Sequence, residues 1–281
     1  MKIIDTHQHL IYPEQFSYSW CKGIPVLAGK SFRLEEYNAA AQGTGISQTL
    51  FMDAGVDDPH TRAETDFFLQ LATKPETGIV GVLATCRPEV ENFPAYLDSI
   101  LHTKLKGLRR ILHVVPDELS QTPLFAKNLA LVARHNLTFD LCLLARQLPL
   151  GAKLVRKFPA QQFILDHCGV PDIQNGGLDP WRQHIRDLAQ CPNLACKVSG
   201  VVAYCDPSHV TVKAIRPYVE HCIESFGWDR VVFGGDWPVA NITASLGQWV
   251  AILKEIVRAE SVEHQQKLFA GNAGKIYRLD H

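Results

Sequence analysis

The chain opens MKIIDTHQHL, and His7 and His9 stand one residue apart at the end of a short apolar run. Alternate residues of an extended strand point to the same side, so a strand through this segment aims Asp5, His7 and His9 one way and offers two imidazoles to one ion or one water. Two residues of similar chemistry close apolar runs far along the chain, His167 in QFILDHCG and Asp236 in RVVFGGDWP. Three imidazoles and a carboxylate make a donor set for one divalent cation with an open position, or for a water that must lose a proton. Each residue alone has a plainer reading: a solvated strand end for the histidine pair, a hydrogen-bonded loop histidine for His167, a turn or helix cap for Asp236. Gly234 and Gly235 weaken the cap reading, because they let the backbone pack closely while the next carboxylate projects from the strand end.

Convergence of such distant residues demands a particular set of elements. Eight short apolar or β-branched runs recur: KIIDTH, TLFMDAG, GIVGVLAT, GLRRILH, LTFDLCLL, QFILDHCG, NLACKVSG and RVVFGGDWP. Between them lie segments such as RAETDFFLQLATK, PAYLDSILHTK, PLFAKNLALVARHN and VTVKAIRPYVEHCIESFG, whose apolar residues return every three or four positions. Strand and helix in alternation predict a parallel sheet, and eight repeats in this length predict one closed (β/α)8 TIM barrel. No Gly-x-Gly-x-x-Gly turn follows the first run, which argues against an open dinucleotide-binding sheet. No linker, low-complexity tract or internal repeat divides residues 1–281, so a single domain is expected. Closing the barrel makes the first and last strands neighbours and sets Asp236 beside the histidine pair, at the carboxyl ends where barrel enzymes do their chemistry.

Alternation within the runs adds further candidates. In KGLRRILH it directs Arg109, Ile111 and His113 into the barrel; in FDLCLLAR, Asp140, Cys142 and Arg146 share a side, as do Lys197 and Ser199 in ACKVSG. Arg109, Arg146 and Lys197 would then line a cationic rim. The plainer reading of Arg146 and Lys197 is a solvated charge or a structural ion pair, whereas a guanidinium inside a barrel strand needs a partner or an anionic substrate. Residues 10–32, LIYPEQFSYSWCKGIPVLAGKSF, form a long aromatic loop of the kind that covers an active site.

Composition narrows the partners. Among 281 residues 46% are hydrophobic, enough for a large core, and 28 basic against 29 acidic residues leave no footprint for nucleic acid or a membrane surface. A small molecule is the expected ligand, and a homo-oligomer is compatible with this composition. The eight cysteines include no Cys-x-x-Cys pair and several lie in apolar runs, which reads as free thiols in a reducing cytosol. The first residues are strand-like with no basic and apolar leader, so a soluble, cytoplasmic protein is expected.

The segments DTHQHL, ILDHCGVPD, LACKVSG, VVFGGDWPV and LFAGNAGKIYRL, in this order over nearly the whole chain, resemble the amidohydrolase-related barrel enzymes. Within them the resemblance is to the branch of sugar lactonases such as fuconolactonase and rhamnonolactonase, and more distantly to pyrone-dicarboxylate lactonase. It implies hydrolysis of an ester bond in a sugar-acid lactone ring, a metal site at His7, His9, His167 and Asp236, and catalytic roles for Asp236 and His167. Arg109 in GLR resembles the fourth-strand arginine that contacts substrate in this family, and Lys197, Arg146, His113, Tyr18 and Trp20 are the further substrate contacts expected around it. The chain departs from metal-rich relatives, whose fourth strand ends in a lysine or acidic bridge and whose fifth ends in histidine: here Lys106 begins its run, and LTFDLCLL has no histidine. The resemblance therefore implies one divalent cation, zinc or manganese, rather than two, and not as a strict requirement. Two rivals stay open, a metal-dependent non-oxidative decarboxylase on the same barrel and a non-catalytic binding barrel.

Overall fold

The computed structural model describes residues 1–279. The eight apolar runs become parallel strands β1 (Ile3–Gln8), β2 (Ile46–Met52), β3 (Ile79–Thr85), β4 (Leu105–Ile111), β5 (Thr138–Cys142), β6 (Phe163–Leu165), β7 (Leu194–Val198) and β8 (Val231–Phe233). They pair in chain order, as a single (β/α)8 barrel requires. Helices α1 (Leu34–Ala41), α2 (Thr61–Leu71), α3 (Phe93–Ile100), α4 (Pro123–Arg134), α5 (Leu148–Lys157), α6 (Trp181–Ala189), α7 (Val212–Phe226) and α8 (Leu246–Ile256) alternate with the strands, and short helices α9 (Val262–Gln266) and α10 (Asn272–Ile276) follow. No helix among the described residues is long and apolar enough to cross a membrane.

Local chemistry sets the helix boundaries. Thr122 accepts the Phe125 N–H ahead of Pro123, Thr211 accepts that of Ala214, and Ser245 and Gln248 cap α8 reciprocally. On α4 the buried residues are Phe125, Asn128, Leu129 and Val132, one helical stripe turned to the sheet. The core divides in two. Residues facing the helices form the larger part, in which Phe51 stacks on Phe68 with centroids 3.5 Å apart. Ile4, Leu50, Met52, Leu83, Ile164 and Ala195 fill the barrel interior together with Tyr277 and Leu279 from the C-terminal segment.

The seam between β1 and β8 is closed largely by loop and side-chain hydrogen bonds. Asp236 N–H donates to His7 O at 2.8 Å and His9 N–H to Trp237 O at 2.9 Å. Thr6 Oγ1 donates to Phe233 O at 2.6 Å. Asp5 accepts Gly235 N–H at 2.7 Å, His7 N–H at 2.9 Å and the Tyr37 hydroxyl of α1 at 2.7 Å. Asp5 therefore does not share a face with His7 and His9, contrary to strict alternation. The register of β1 slips between Asp5 and Gln8, and that bulge turns Asp5 outward to α1 while Ile4 and the imidazoles remain inside.

Two glycines should respond oppositely to alanine. A Cβ on Gly235 would lie 2.3 Å from Asp5 Oδ2 and 2.8 Å from Leu246, whereas one on helical Gly247 meets nothing nearer than Ser245 Oγ at 4.0 Å. Gly235→Ala is expected to lose about 1–3 kcal/mol in urea melts, and Gly247→Ala to gain up to about 1 kcal/mol.

Candidate active site

At the carboxyl end of the barrel, β1 and the turn after β8 bring three donors together. His7 Nε2 lies 3.6 Å and His9 Nε2 3.4 Å from Asp236 Oδ1. Two ligands held at about 2.1 Å from one tetrahedral ion stand about 3.4 Å apart, so this spacing fits a shared cation. The lone pairs also point the right way. His9 Nδ1 meets the Met52 carbonyl at 3.0 Å, and because a carbonyl only accepts, Nδ1 carries the hydrogen and Nε2 is free to ligate. His7 lies between two donors, Arg109 Nη1 3.3 Å from Nε2 and Lys197 Nζ 3.3 Å from Nδ1, and the acceptor beside Nδ1 is Asp166 Oδ1 at 3.5 Å; a ring hydrogen on Nδ1 directed to that carboxylate leaves the lone pair on Nε2. Asp236 Oδ2 is buried without a hydrogen-bond partner. His167 stands slightly apart from this group: Nδ1 is 3.8 Å from Asp236 Oδ2 and 3.0 Å from Ser199 Oγ, and its donor atoms cluster with those of His7 and Asp166 instead.

The backbone is bent to reach this arrangement. His167, Cys168 and Asp236 adopt φ of 54°, 54° and 55°, the left-handed region that costs a non-glycine residue energy and that concentrates at functional sites. Gly200, after β7, leaves room for both side chains, since a Cβ there would lie 2.4 Å from Asp236 Oδ2 and 2.5 Å from His167 Nδ1.

Beneath the imidazoles lies a fully buried charge cluster. Lys197 Nζ is 2.5 Å from Asp140 Oδ2 and 3.1 Å from Asp166 Oδ1, and Tyr277 Oη donates to Asp140 at 3.2 Å. Burial disfavours the ammonium, but the two carboxylates outweigh it and raise the Lys197 pKa. Burial, reinforced by this ammonium 3.3 Å from Nδ1, pushes the His7 pKa well below the ordinary imidazole value and keeps the ring neutral. Arg109 is held by Asp53, with Nε 2.6 Å from Oδ2 and Nη2 2.5 Å from the backbone oxygen; burial opposes the charge and Asp53 more than restores it, so its pKa is raised. His113, 3.3 Å from the Cys142 sulfur, is pushed down to about 4 by burial and then by His167 and Arg109.

A cavity of about 360 Å³ opens above this floor. His9, His167, Asp236, Arg109, His113 and Trp20 all line it. The indole N–H of Trp20 donates to Ala54 O at 2.8 Å, which fixes the ring. Three expected substrate contacts are not brought to the cavity. Lys197 lies under the histidines with no exposed surface. Arg146 sits past the end of β5, where strand alternation no longer applies; its side chain is 60% exposed and pairs with Asp117. Tyr18 is buried behind the first loop beside Glu64. Conversely, Arg87, Arg110 and Tyr204 line the cavity, and Asp53 and Asp166 support it, though sequence reasoning did not select them. Asp53 closes the run TLFMDAG just as Asp236 closes its own, and Asp166 directly precedes His167, so the strand-end rule applied throughout would have found both.

A family model described as Amidohydrolase matches residues 4–279. An uncharacterized protein of Sinorhizobium fredii is 30% identical over 297 residues, covering 99% of this chain and 98% of the other. An L-fucono-1,5-lactonase of Burkholderia ambifaria is 25% identical over 283 residues, with 99% and 96% covered. Among solved structures, an amidohydrolase of Burkholderia multivorans with bound zinc superposes over the whole of both chains with a TM-score of 0.90 at 25% identity.

Two outcomes follow from the buried charges. Lys197→Met strands two carboxylates without their cation and should cost about 3–5 kcal/mol in urea melts, with partial recovery when Asp140→Asn is added. His7 and His113 have lowered pKa values, so between the ordinary imidazole value of about 6.5 and about 4 the unfolded chain binds protons that the folded chain refuses. The share of stability that these two imidazoles supply is therefore lost as pH falls through that window, while Asp5, Glu64 and Asp140, whose pKa values burial raises, act in the opposite direction. The fall in urea midpoint from pH 7 to pH 5 is expected to be smaller in His113→Gln than in the parent, which isolates the His113 share.

Proposed function

The chain belongs to the amidohydrolase family, and from that premise we propose that it opens a sugar-acid lactone ring by attack of water on the lactone carbonyl. The observation that carries the reading is the His7, His9 and Asp236 donor group at the cavity floor with Asp236 Oδ2 free of hydrogen bonds. Lactonase relatives at 25% and 28% identity over nearly the full chain support the substrate class. In this mechanism Asp236 Oδ2 takes a proton from the water as its oxygen bonds to the carbonyl carbon. Arg109, rigidly seated on Asp53, donates to the oxyanion that develops. As the ring C–O bond breaks, Asp236 returns the proton to the leaving oxygen. Ser199 and Asp236 bracket His167 Nδ1 and set the ring at the cavity edge, where it orients the substrate. His7 Nε2, His9 Nε2 and Asp236 Oδ1 fit one divalent cation, zinc or manganese, which when bound supplies Lewis acidity toward the carbonyl or the water. Eight buried free thiols support a reducing cytosol as the compartment, with carbohydrate metabolism as the setting.

A panel of five- and six-membered aldonolactones, read with a pH indicator, tests this reading. Acceleration over spontaneous opening is expected, falling on chelation as bound metal is lost. Asp236→Asn should lower turnover on the order of 10²- to 10⁴-fold with little change in melting temperature. No acceleration on any ring overturns the lactonase reading. Asparagine-variant turnover within about threefold of the parent, far short of a lost general base, moves the base to His167.

A further inference from the structure

The cavity is unusually rich in donors. Three guanidinium groups, those of Arg87, Arg109 and Arg110, reach its wall, while among the described residues Asp236 is its one carboxylate and neither asparagine nor glutamine lines it. The acids that hold the arginines stand outside the lining: Arg87 Nη2 donates to Asp58 at 2.6 Å and Arg110 Nη2 to Glu89 at 2.5 Å. Arg87 Nη1 also donates to Thr85 Oγ1 at 2.9 Å and to Cys86 O at 3.0 Å, and Arg110 Nη1 to Ile111 O at 3.5 Å. The remaining N–H groups, among them Nε and one Nη2 hydrogen of Arg87, have no partner among the described residues, and Arg110 Nε is buried without one. A polyol needs acceptors for its hydroxyl hydrogens as well as donors, and this wall supplies few. A ligand rich in acceptors suits it better.

Position makes the asymmetry useful. Arg110 is on β4 and Arg87 follows β3, whereas Asp236 follows β8. In an eight-stranded barrel β4 and β8 are opposite one another, so the guanidinium side faces the reacting side across the opening. Resting on the lactonase reading, we propose that the substrate is a lactone carrying a free carboxylate at the end remote from the ring ester, held by Arg87 and Arg110 while the ring carbonyl lies against Asp236 and Arg109. Sugar lactones of the diacid type have this form. The carboxylate takes up the N–H groups that these two arginines leave unused, and charge-assisted pairing of this kind is strong and directional. Trp20, Ile24, Val56 and Ile111 supply an apolar wall between the two ends for the carbon skeleton.

The test compares two five-membered lactones that differ only in the group on the terminal carbon, galactonolactone with its alcohol and galactarolactone with its carboxylate. The carboxylated member should have a kcat/KM about tenfold or more higher, mainly through KM. Arg87→Met should shrink that preference to about threefold or less by losing its charged hydrogen bond. The substrate comparison on the parent protein stands whether or not the variant folds. Equal kcat/KM on both lactones overturns the inference and leaves the lactonase reading intact; hydrolysis of neither overturns that reading and the inference together. Faster opening of a terminally phosphorylated lactone than of the carboxylated one also overturns it, because the anion recognised would then be phosphate.

Discussion

The seam between β1 and β8 is the constraint on which the site depends. Asp5 satisfies three donors there at once, from Gly235, His7 and Tyr37, and in doing so ties the last strand to the first and both to α1. A buried carboxylate is costly unless its lone pairs are used, and here they hold the barrel shut. Gly234 and Gly235 make the approach possible: a Cβ on Gly234 would lie 2.8 Å from His7 Cβ, and one on Gly235 would collide with Asp5. The GGD sequence that ends β8 is thus both closure and delivery. It brings the strand in close and then releases Asp236, in a left-handed conformation, onto the two imidazoles.

The barrel was legible in the sequence because both of its periodicities are strong. Five of the eight runs contain their strands whole and the other three, those of β1, β2 and β4, overlap theirs, and each quoted helical segment overlaps its helix closely, as RAETDFFLQLATK does α2. The strand-end rule led to His7, His9, His167 and Asp236, and topology brought them within reach of one another. What misled was parity carried past its domain. One bulge in β1 reversed Asp5, and counting on from Cys142 to Arg146 ran beyond the strand. Depth was invisible as well: Lys197 does point inward, but the alternation of residues says nothing about whether an inward lysine reaches a cavity or is trapped under it by Asp140 and Asp166. Arg87 was missed because it follows β3, where loop geometry and not strand period decides which way a side chain turns, and Arg110, within β4, because alternation sets it on the face opposite Arg109.

The buried lysine also bears on how many cations the site can take. Donor atoms of His7, Asp166 and His167 form a second group within 4.8 Å of one another, next to the group made by His7, His9 and Asp236. On distances alone two ions would be possible. The second group, however, already has a cation: Lys197 Nζ lies 3.1 Å from Asp166 and 3.3 Å from His7 Nδ1. Any ion entering there would meet a like charge in a medium of low dielectric, where such repulsion is many times stronger than in water. A lysine at this position of β7, anchored from below by Asp140 and the Tyr277 hydroxyl, thus stands where a second metal would otherwise balance the carboxylate, and it leaves Asp166 neutralised beside His7. Of these two groups the upper one, with His7 kept neutral and the His9 tautomer set by Met52, is then the one suited to a single divalent cation, directly below the open cavity.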